Sequence, residues 1–137
     1  MLLDWPAEFG RQLDRLDEQV AAGDKRAQII RRIVDIHLEY LQNGIDGPPD
    51  PSDESKMLRW VRQSGKHSVW RLSHRYIEGV AVRTIVWFPE DGVAVVLLFY
   101  GDKSHIGDLF YDSVGSRADQ AISQYLREIG SDDNAKS

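Results

Sequence analysis

Two segments near the start of the sequence repeat apolar side chains at steps of three and four residues, the spacing of an amphipathic helix. The first segment covers residues 4–20 and carries Trp5, Phe9, Leu13, Leu16 and Val20 on one face. The second covers residues 25–42 and carries Ala27, Ile30, Val34, Leu38 and Leu41. Because the link between them is short, the two helices are predicted to pack antiparallel, as a helical hairpin over about residues 4–43.

The ends of these two segments carry residues that suit helix termini. Asp4 is predicted to cap the first helix, with Pro6 in its first turn, where a missing N–H costs nothing. Asp24 is predicted to cap the second helix, and Gly44 to follow its last residue. His37 lies beside the apolar stripe of the second helix. We expect a partly buried, hydrogen-bonded histidine there rather than a metal ligand.

Over about residues 67–101 the pattern changes to short runs of β-branched and aromatic residues, separated by turn signals at 78–79 and 89–92. Such runs predict an antiparallel β-meander of three strands or more. The run Val93–Tyr100 is apolar on both faces, so it is expected to be the most buried strand.

Strand side chains alternate between the two faces of a sheet. In the first strand of the meander, Arg71 and Ser73 are therefore predicted on one face, and Trp70 and Leu72 on the other. In the next strand, Arg83 is predicted to share a face with Ala81, Ile85 and Trp87. Cationic side chains are thus set into the sheet itself.

The remaining segments complete a predicted α+β fold in one domain, residues 1–137. Residues of about 44–55 are rich in Gly, Pro and Asp, which is typical of a linker. Residues 56–65 fit either a short helix or a strand that leads into the sheet. A last helix is predicted over about residues 116–129, with Ser116 as its N-cap.

The composition is that of an ordinary globular chain, with 42% hydrophobic and 28% charged residues. There are no cysteines, which excludes disulfides and thiolate metal sites. The first residues lack the basic and apolar regions of a signal peptide, and the longest apolar run is too short to span a bilayer. We therefore expect a cytoplasmic protein with no membrane partner.

The net charge of −5 is unevenly distributed. Residues 1–55 carry 6 basic and 12 acidic side chains, residues 56–105 carry 8 and 4, and residues 106–137 carry 3 and 6. Residues 56–105, which include the predicted sheet, are therefore the basic part of an acidic chain, and this region is the candidate surface for an anionic partner. The alternative is an ordinary solvated mixture of charges.

Motifs for metal or cofactor binding are not found in the sequence. The spacing of His67, His74 and His105 fits neither HExxH nor another zinc pattern. There is no glycine-rich phosphate loop and no GxSxG motif of a serine hydrolase. We expect neither a metal nor a cofactor.

Cationic and phenolic side chains are frequent in the predicted sheet and in the segment after it: Arg71, His74, Arg75, Arg83, Lys103, His105 and Tyr111. Such a set suits a phosphodiester, whose negative charge it can neutralise. In RNA cleavage by a 2′-hydroxyl, a fixed guanidinium stabilises the phosphoryl oxygens while a base and an acid move two protons. The alternative is that the arginines only make the sheet surface soluble.

The order of elements resembles the RelE/ParE superfamily of bacterial toxins, nearer to RelE and HigB than to ParE. The resemblance rests on W-R-L, A-V-R-T-I-V-W-F and V-V-L-L-F-Y-G-D-K in the meander and D-L-F-Y before the last helix, and it covers residues 5–126. It implies a RelE-like fold and a toxin of a type II toxin–antitoxin system, an endoribonuclease that cuts messenger RNA on the ribosome. Many members begin with a strand, for which residues 1–4 are expected to be too short.

The resemblance also implies a catalytic set. Arg83 matches the arginine that contacts the scissile phosphate, and Arg71 falls where the family has a basic residue on the preceding strand. Lys103 and His105 fall where the family has a basic group after the third strand. Tyr111 resembles a tyrosine that stacks on a base or transfers a proton.

A second set is assigned to RNA binding. Ser73 stands where RelE has a second basic residue, and His74 or Arg75 could substitute for that cation. Arg62 and Lys66, just before the sheet, extend the basic surface. The expected partners are a cognate antitoxin, the ribosome and messenger RNA.

Two other functions remain open for this sequence. The first is a ParE-like toxin that inhibits DNA gyrase by contact and cleaves nothing. The second is an inactive protein with a RelE fold that only binds a partner protein. The arginines at positions 71 and 83 favour cleavage, whereas the acidic balance and Ser73 favour the inactive protein.

Overall fold

The structure is a computed structural model, and it describes the following residues: 1–45, 47, 58–61, 67–73, 79–90, 92–100 and 107–136. In the last of these ranges, side chains are described for residues 114–130. Most of the predicted linker, residues 48–55, lies outside the described chain.

In the described ranges, three α-helices and five strands make up a mixed α+β fold, as predicted. They are β1 (Leu2–Asp4), α1 (Ala7–Ala21), α2 (Lys25–Glu39), β2 (Leu58–Trp60), β3 (Val69–Ser73), β4 (Arg83–Glu90), β5 (Val93–Tyr100) and α3 (Gly107–Lys136). A π-helix at Tyr40–Gly44 extends α2. Within the described ranges, no helix has a stretch long and apolar enough to cross a membrane.

The strands form one sheet in the order β1-β5-β4-β3-β2. The meander of β3, β4 and β5 is antiparallel, as predicted. It is extended by β2 at Leu58–Trp60, so a strand and not a helix forms in the described part of the segment 56–65. The tight turn between β4 and β5 contains Gly92 with φ of +81°, a left-handed conformation that glycine adopts without strain.

The expectation that residues 1–4 are too short for a strand was wrong. Leu2–Asp4 runs parallel to β5, in register with Val93–Val95, and the Leu2 N–H donates to the Gly92 carbonyl at 2.8 Å. Asp4 therefore belongs to β1 and does not cap α1. Pro6 occupies the N-cap position of that helix instead.

Helices cover both faces of the sheet. The core on the α1–α2 side contains Phe9, Leu13, Ile33, Val34, Leu41, Leu58, Trp70, Leu72, Val80, Val82, Val86, Phe88, Ala94 and Val96. The core on the α3 side contains Val61, Val69, Ile85, Val95, Leu97, Leu98, Val114, Ala118, Ile122 and Tyr125. Residues 94–98 of β5 are all buried, which confirms that this strand is the most enclosed.

The helix α2 is fixed at its start and near its end. Asp24 caps it as predicted, because its Oδ1 accepts the Ala27 N–H at 3.0 Å. His37 is fully buried, more than predicted, and its Nδ1 lies 2.7 Å from Oγ1 of Thr84 in β4. Gly44 lies inside the π-helix instead of beyond the helix end, so its predicted capping role was wrong. A Cβ at Gly44 would lie 2.8 Å from the Tyr40 ring.

The helix α3 begins at Gly107, well before the predicted start, so Ser116 is an interior helical residue and not an N-cap. Its second half is attached to the beginning of the chain. The Tyr125 hydroxyl donates to Asp4 Oδ2 at 2.8 Å, and the Glu128 carboxylate accepts the Ala7 N–H at 3.1 Å. Glu128 thereby satisfies the start of α1, where Pro6 offers no capping side chain.

Candidate anion-binding site on the sheet

A row of hydrogen-bonding side chains crosses three strands at one end of the sheet. Ser73 of β3 pairs with Arg83 of β4, and Arg83 pairs in turn with Tyr100 of β5. Residues that pair directly across strands point to the same face, with Cβ atoms about 4.5–5.5 Å apart. This polar row therefore presents a guanidinium between two hydroxyl groups.

Arg71 lies beside the polar row on the same face. It pairs with Ile85 of β4 and with Arg59 of β2, so it is a diagonal neighbour of Arg83. Diagonal neighbours in an antiparallel pair lie about 7–8 Å apart, and their Cβ atoms somewhat closer, within reach of long side chains. Two arginines on adjacent strands can therefore converge on one small anion.

The face that carries these residues is the one that α3 covers, and much of it is apolar. Val69, Ile85 and Leu98 on it are buried. The four polar residues, Arg71, Ser73, Arg83 and Tyr100, are half-buried. A guanidinium in such surroundings is poorly screened by water, so it interacts with an anion more strongly than a surface arginine does.

Two polar atoms of the row are removed from solvent without a hydrogen-bond partner in the described part of the chain, namely Ser73 Oγ and Arg83 Nε. Buried donors are normally paired, and each exception calls for an explanation. None of the strand residues that pair with Arg71 or Arg83 is acidic. The site therefore offers donors and positive charge, which is the chemistry that binds an oxyanion.

Most of the predicted site residues lie outside the described chain. This holds for Lys103 and His105 of the predicted catalytic set and for Arg62, Lys66, His74 and Arg75 of the RNA-binding set. Tyr111 was predicted just before the last helix, but its backbone lies within α3, and its side chain is outside the description. Among the predicted site residues, the structure describes the side chains of Arg71 and Arg83 alone, and the sheet register brings these two together.

Sequence reasoning missed Tyr100 and treated Ser73 only as a departure from the RelE pattern. Tyr100 could have been found by counting residues back from the turn at Gly92, because the two shifts in the β4–β5 register cancel by Arg83. Ser73 could not be matched to Arg83 in this way, since the connection between β3 and β4 is too long for its register to be counted.

Other parts of the described structure do not offer comparable chemistry. A surface groove between β1 and the end of α2 is lined by apolar side chains together with Asp35 and Glu39, whose charge disfavours an anion. His67 lies with its ring 5.2 Å from that of Trp87, in an aromatic contact. The described residues contain no group of three His, Asp or Glu side chains that could hold a metal ion.

Tyr125 is a second phenol on the α3 side, and its role is structural. Burial raises its pKa to about 12, with a further contribution from the hydrogen bond to Asp4 and the negative charges of Asp4 and Glu90. Because the phenol stays protonated, it holds α3 against β1 at neutral pH.

This pKa leads to a testable pH dependence of stability. An unfolded tyrosine ionises near pH 10, so between about pH 10 and about pH 12 the unfolded state binds fewer protons and is favoured as pH rises. Stability from Tyr125 is therefore expected to be complete below about pH 10 and to be lost above it. Urea unfolding of the parent and Tyr125→Phe should show a difference that shrinks across this range. A difference that grows with pH would contradict the assignment.

Comparison with known proteins identifies no relative. No family model matches the chain, and neither a curated protein nor a solved structure matches it.

Proposed function

We propose that the chain is a RelE-like toxin of a type II toxin–antitoxin system, an endoribonuclease that cuts messenger RNA held in the ribosome. The observation that carries this proposal is the arrangement of Arg71 and Arg83 on one sheet face in adjacent strands, with a hydroxyl on either side of Arg83. Two converging guanidiniums can stabilise the charge that develops on a phosphoryl group during attack by a 2′-hydroxyl.

The order of elements also supports the proposal. A pair of helices precedes an antiparallel meander, and a last helix follows it. The short strand Leu2–Asp4 adds a first strand next to β5, a feature of many RelE-like proteins that the sequence alone did not reveal.

The roles follow from the chemistry of each group. Arg83 and Arg71 hold the scissile phosphate, and Lys103 adds positive charge. His105 or Tyr111 moves the protons that the attacking hydroxyl loses and the leaving oxygen gains. A cognate antitoxin binds the free toxin in the cell.

A second candidate is an inactive RelE-fold protein that binds a partner. Arg71 and Arg83 are half-buried on the sheet face that α3 covers, and this favours the inactive protein. A half-buried phosphate site must open before a long RNA strand can enter. In that protein both arginines would serve only to fill the sheet face.

Tightly controlled expression of the chain alone tests the proposal, with growth, protein synthesis and the DNA-damage response followed together. The expected result is growth arrest with an early fall in protein synthesis and no DNA-damage response. Arrest with DNA damage and intact protein synthesis would indicate a gyrase inhibitor of the ParE type. Normal growth at a verified level of protein would contradict both toxin functions and favour the inactive protein.

A further inference from the structure

The hydroxyl of Ser73 has no structural use within the described chain. Ser73 is the last residue of β3, and its Oγ is buried without a hydrogen-bond partner there. Directly across the strand pair, Arg83 Nε is buried in the same condition. Two donors from facing residues thus lie side by side, each with unused hydrogen-bonding capacity.

The hydroxyl of Thr84, in the adjacent strand, is a comparison case with a purely structural role. Thr84 follows Arg83 in β4 and is fully buried on the opposite face. Its Oγ1 lies 2.7 Å from His37 Nδ1, so its hydrogen bond is made inside the protein. Ser73 makes no such hydrogen bond within the described chain. Alanine at position 73 would fill the strand equally well and would leave no buried hydroxyl unpaired, so the hydroxyl calls for another explanation.

We propose that Ser73 is a ligand-contacting residue, whose hydroxyl and the Nε of Arg83 donate hydrogen bonds to two oxygens of the same phosphoryl group. This inference rests on the proposed function, in which the ligand is an RNA phosphodiester, and it names how that site holds it. A hydroxyl supplies a directed hydrogen bond without adding charge. Ser73 therefore replaces the second cation of RelE by a positioning donor.

The test measures binding to the full chain, with Ser73→Ala compared with the parent protein. Two probes are titrated by calorimetry: inorganic phosphate, and a dinucleotide whose attacking 2′-hydroxyl is replaced by hydrogen, so that it binds without being cut. One hydrogen bond to a charged group corresponds to about a tenfold change in affinity or more, and we expect Ser73→Ala to bind the dinucleotide about tenfold more weakly. Phosphate binding should weaken in parallel, because both proposed hydrogen bonds go to phosphoryl oxygens.

Stability gives a second and independent measurement. Since the alanine variant lacks the unpaired hydroxyl, the free Ser73→Ala protein should melt at the same temperature as the parent or higher. Ser116→Ala is a matched control for affinity, which it should leave unchanged because Ser116 is exposed on α3. Its melting temperature should rise slightly, since alanine favours a helix more than serine does. Equal affinity of Ser73→Ala and the parent for the dinucleotide would overturn the inference, and so would a parent that binds neither probe.

These results separate the inference from the proposed function. If Ser73→Ala loses affinity as expected while the parent cuts no messenger RNA in cells, Ser73 contacts a phosphoryl ligand and the endoribonuclease function is wrong. If the parent cuts messenger RNA and Ser73→Ala cuts it with unchanged kcat and KM, the inference is wrong and the function stands.

Discussion

Replacing Arg83 by alanine is expected to abolish growth arrest and to lower the rate of RNA cleavage by about 10²–10³-fold, the usual effect of removing one group that stabilises an oxyanion in the transition state. Arg83 is the central residue of the polar row and has a hydroxyl-bearing neighbour on each side. Its loss removes the positive charge at the centre of the polar row. Arg71, a diagonal neighbour outside the row, does not replace that charge. Cleavage by purified ribosomes programmed with a defined messenger measures the rate.

The control for this variant must show that the fold survives. Arg127→Ala removes an exposed arginine of α3 and should leave both toxicity and cleavage unchanged. Arg83→Ala should retain the far-UV circular dichroism of the parent and a cooperative thermal transition, since its backbone hydrogen bonds in β4 remain. A folded Arg83→Ala protein as toxic as the parent would remove the central observation of the proposal.

Replacing Trp70 by alanine is expected to cost about 3–5 kcal/mol of unfolding free energy, the range for deleting a large buried aromatic side chain. Trp70 is 2% exposed and lies in the core on the side of the sheet that α1 and α2 cover. Small domains are stable by only about 5–15 kcal/mol, so this variant should be close to unfolding at ambient temperature. Urea denaturation followed by circular dichroism gives the free-energy difference.

The matched control lies directly across the strand pair. Trp60 of the edge strand β2 pairs with Trp70, and it is 36% exposed. Trp60→Ala is expected to cost less than half as much as Trp70→Ala, because less apolar surface leaves a buried environment. Equal costs for the two variants would mean that β2 is more enclosed than the structure indicates.

The elements with strong local patterns were predictable. The helical periodicity before residue 42 and the run Val93–Tyr100 both correspond to elements with nearly the predicted bounds. The strand β1 was not predictable, because three residues carry no periodicity and its pairing depends on a parallel partner far away in sequence. The early start of α3 at Gly107 was missed because Ser116 matches a capping pattern as well as a helix interior.

The candidate site was predictable as a face but not as a row. Alternation along β3 places Arg71 and Ser73 together, and the structure agrees. Which residue of β4 meets Ser73 depends on register, and a long connection leaves that register undetermined by the sequence. The pairing of Ser73 with Arg83 is therefore information that only the three-dimensional structure supplies.

The most direct test of the endoribonuclease proposal is primer extension on messenger RNA from cells that express the chain alone. The proposal predicts new cuts within translated regions soon after induction, in phase with codons, and none in cells that express Arg83→Ala at the same level. Growth arrest with intact messenger RNA, or the same cuts with Arg83→Ala, would contradict it.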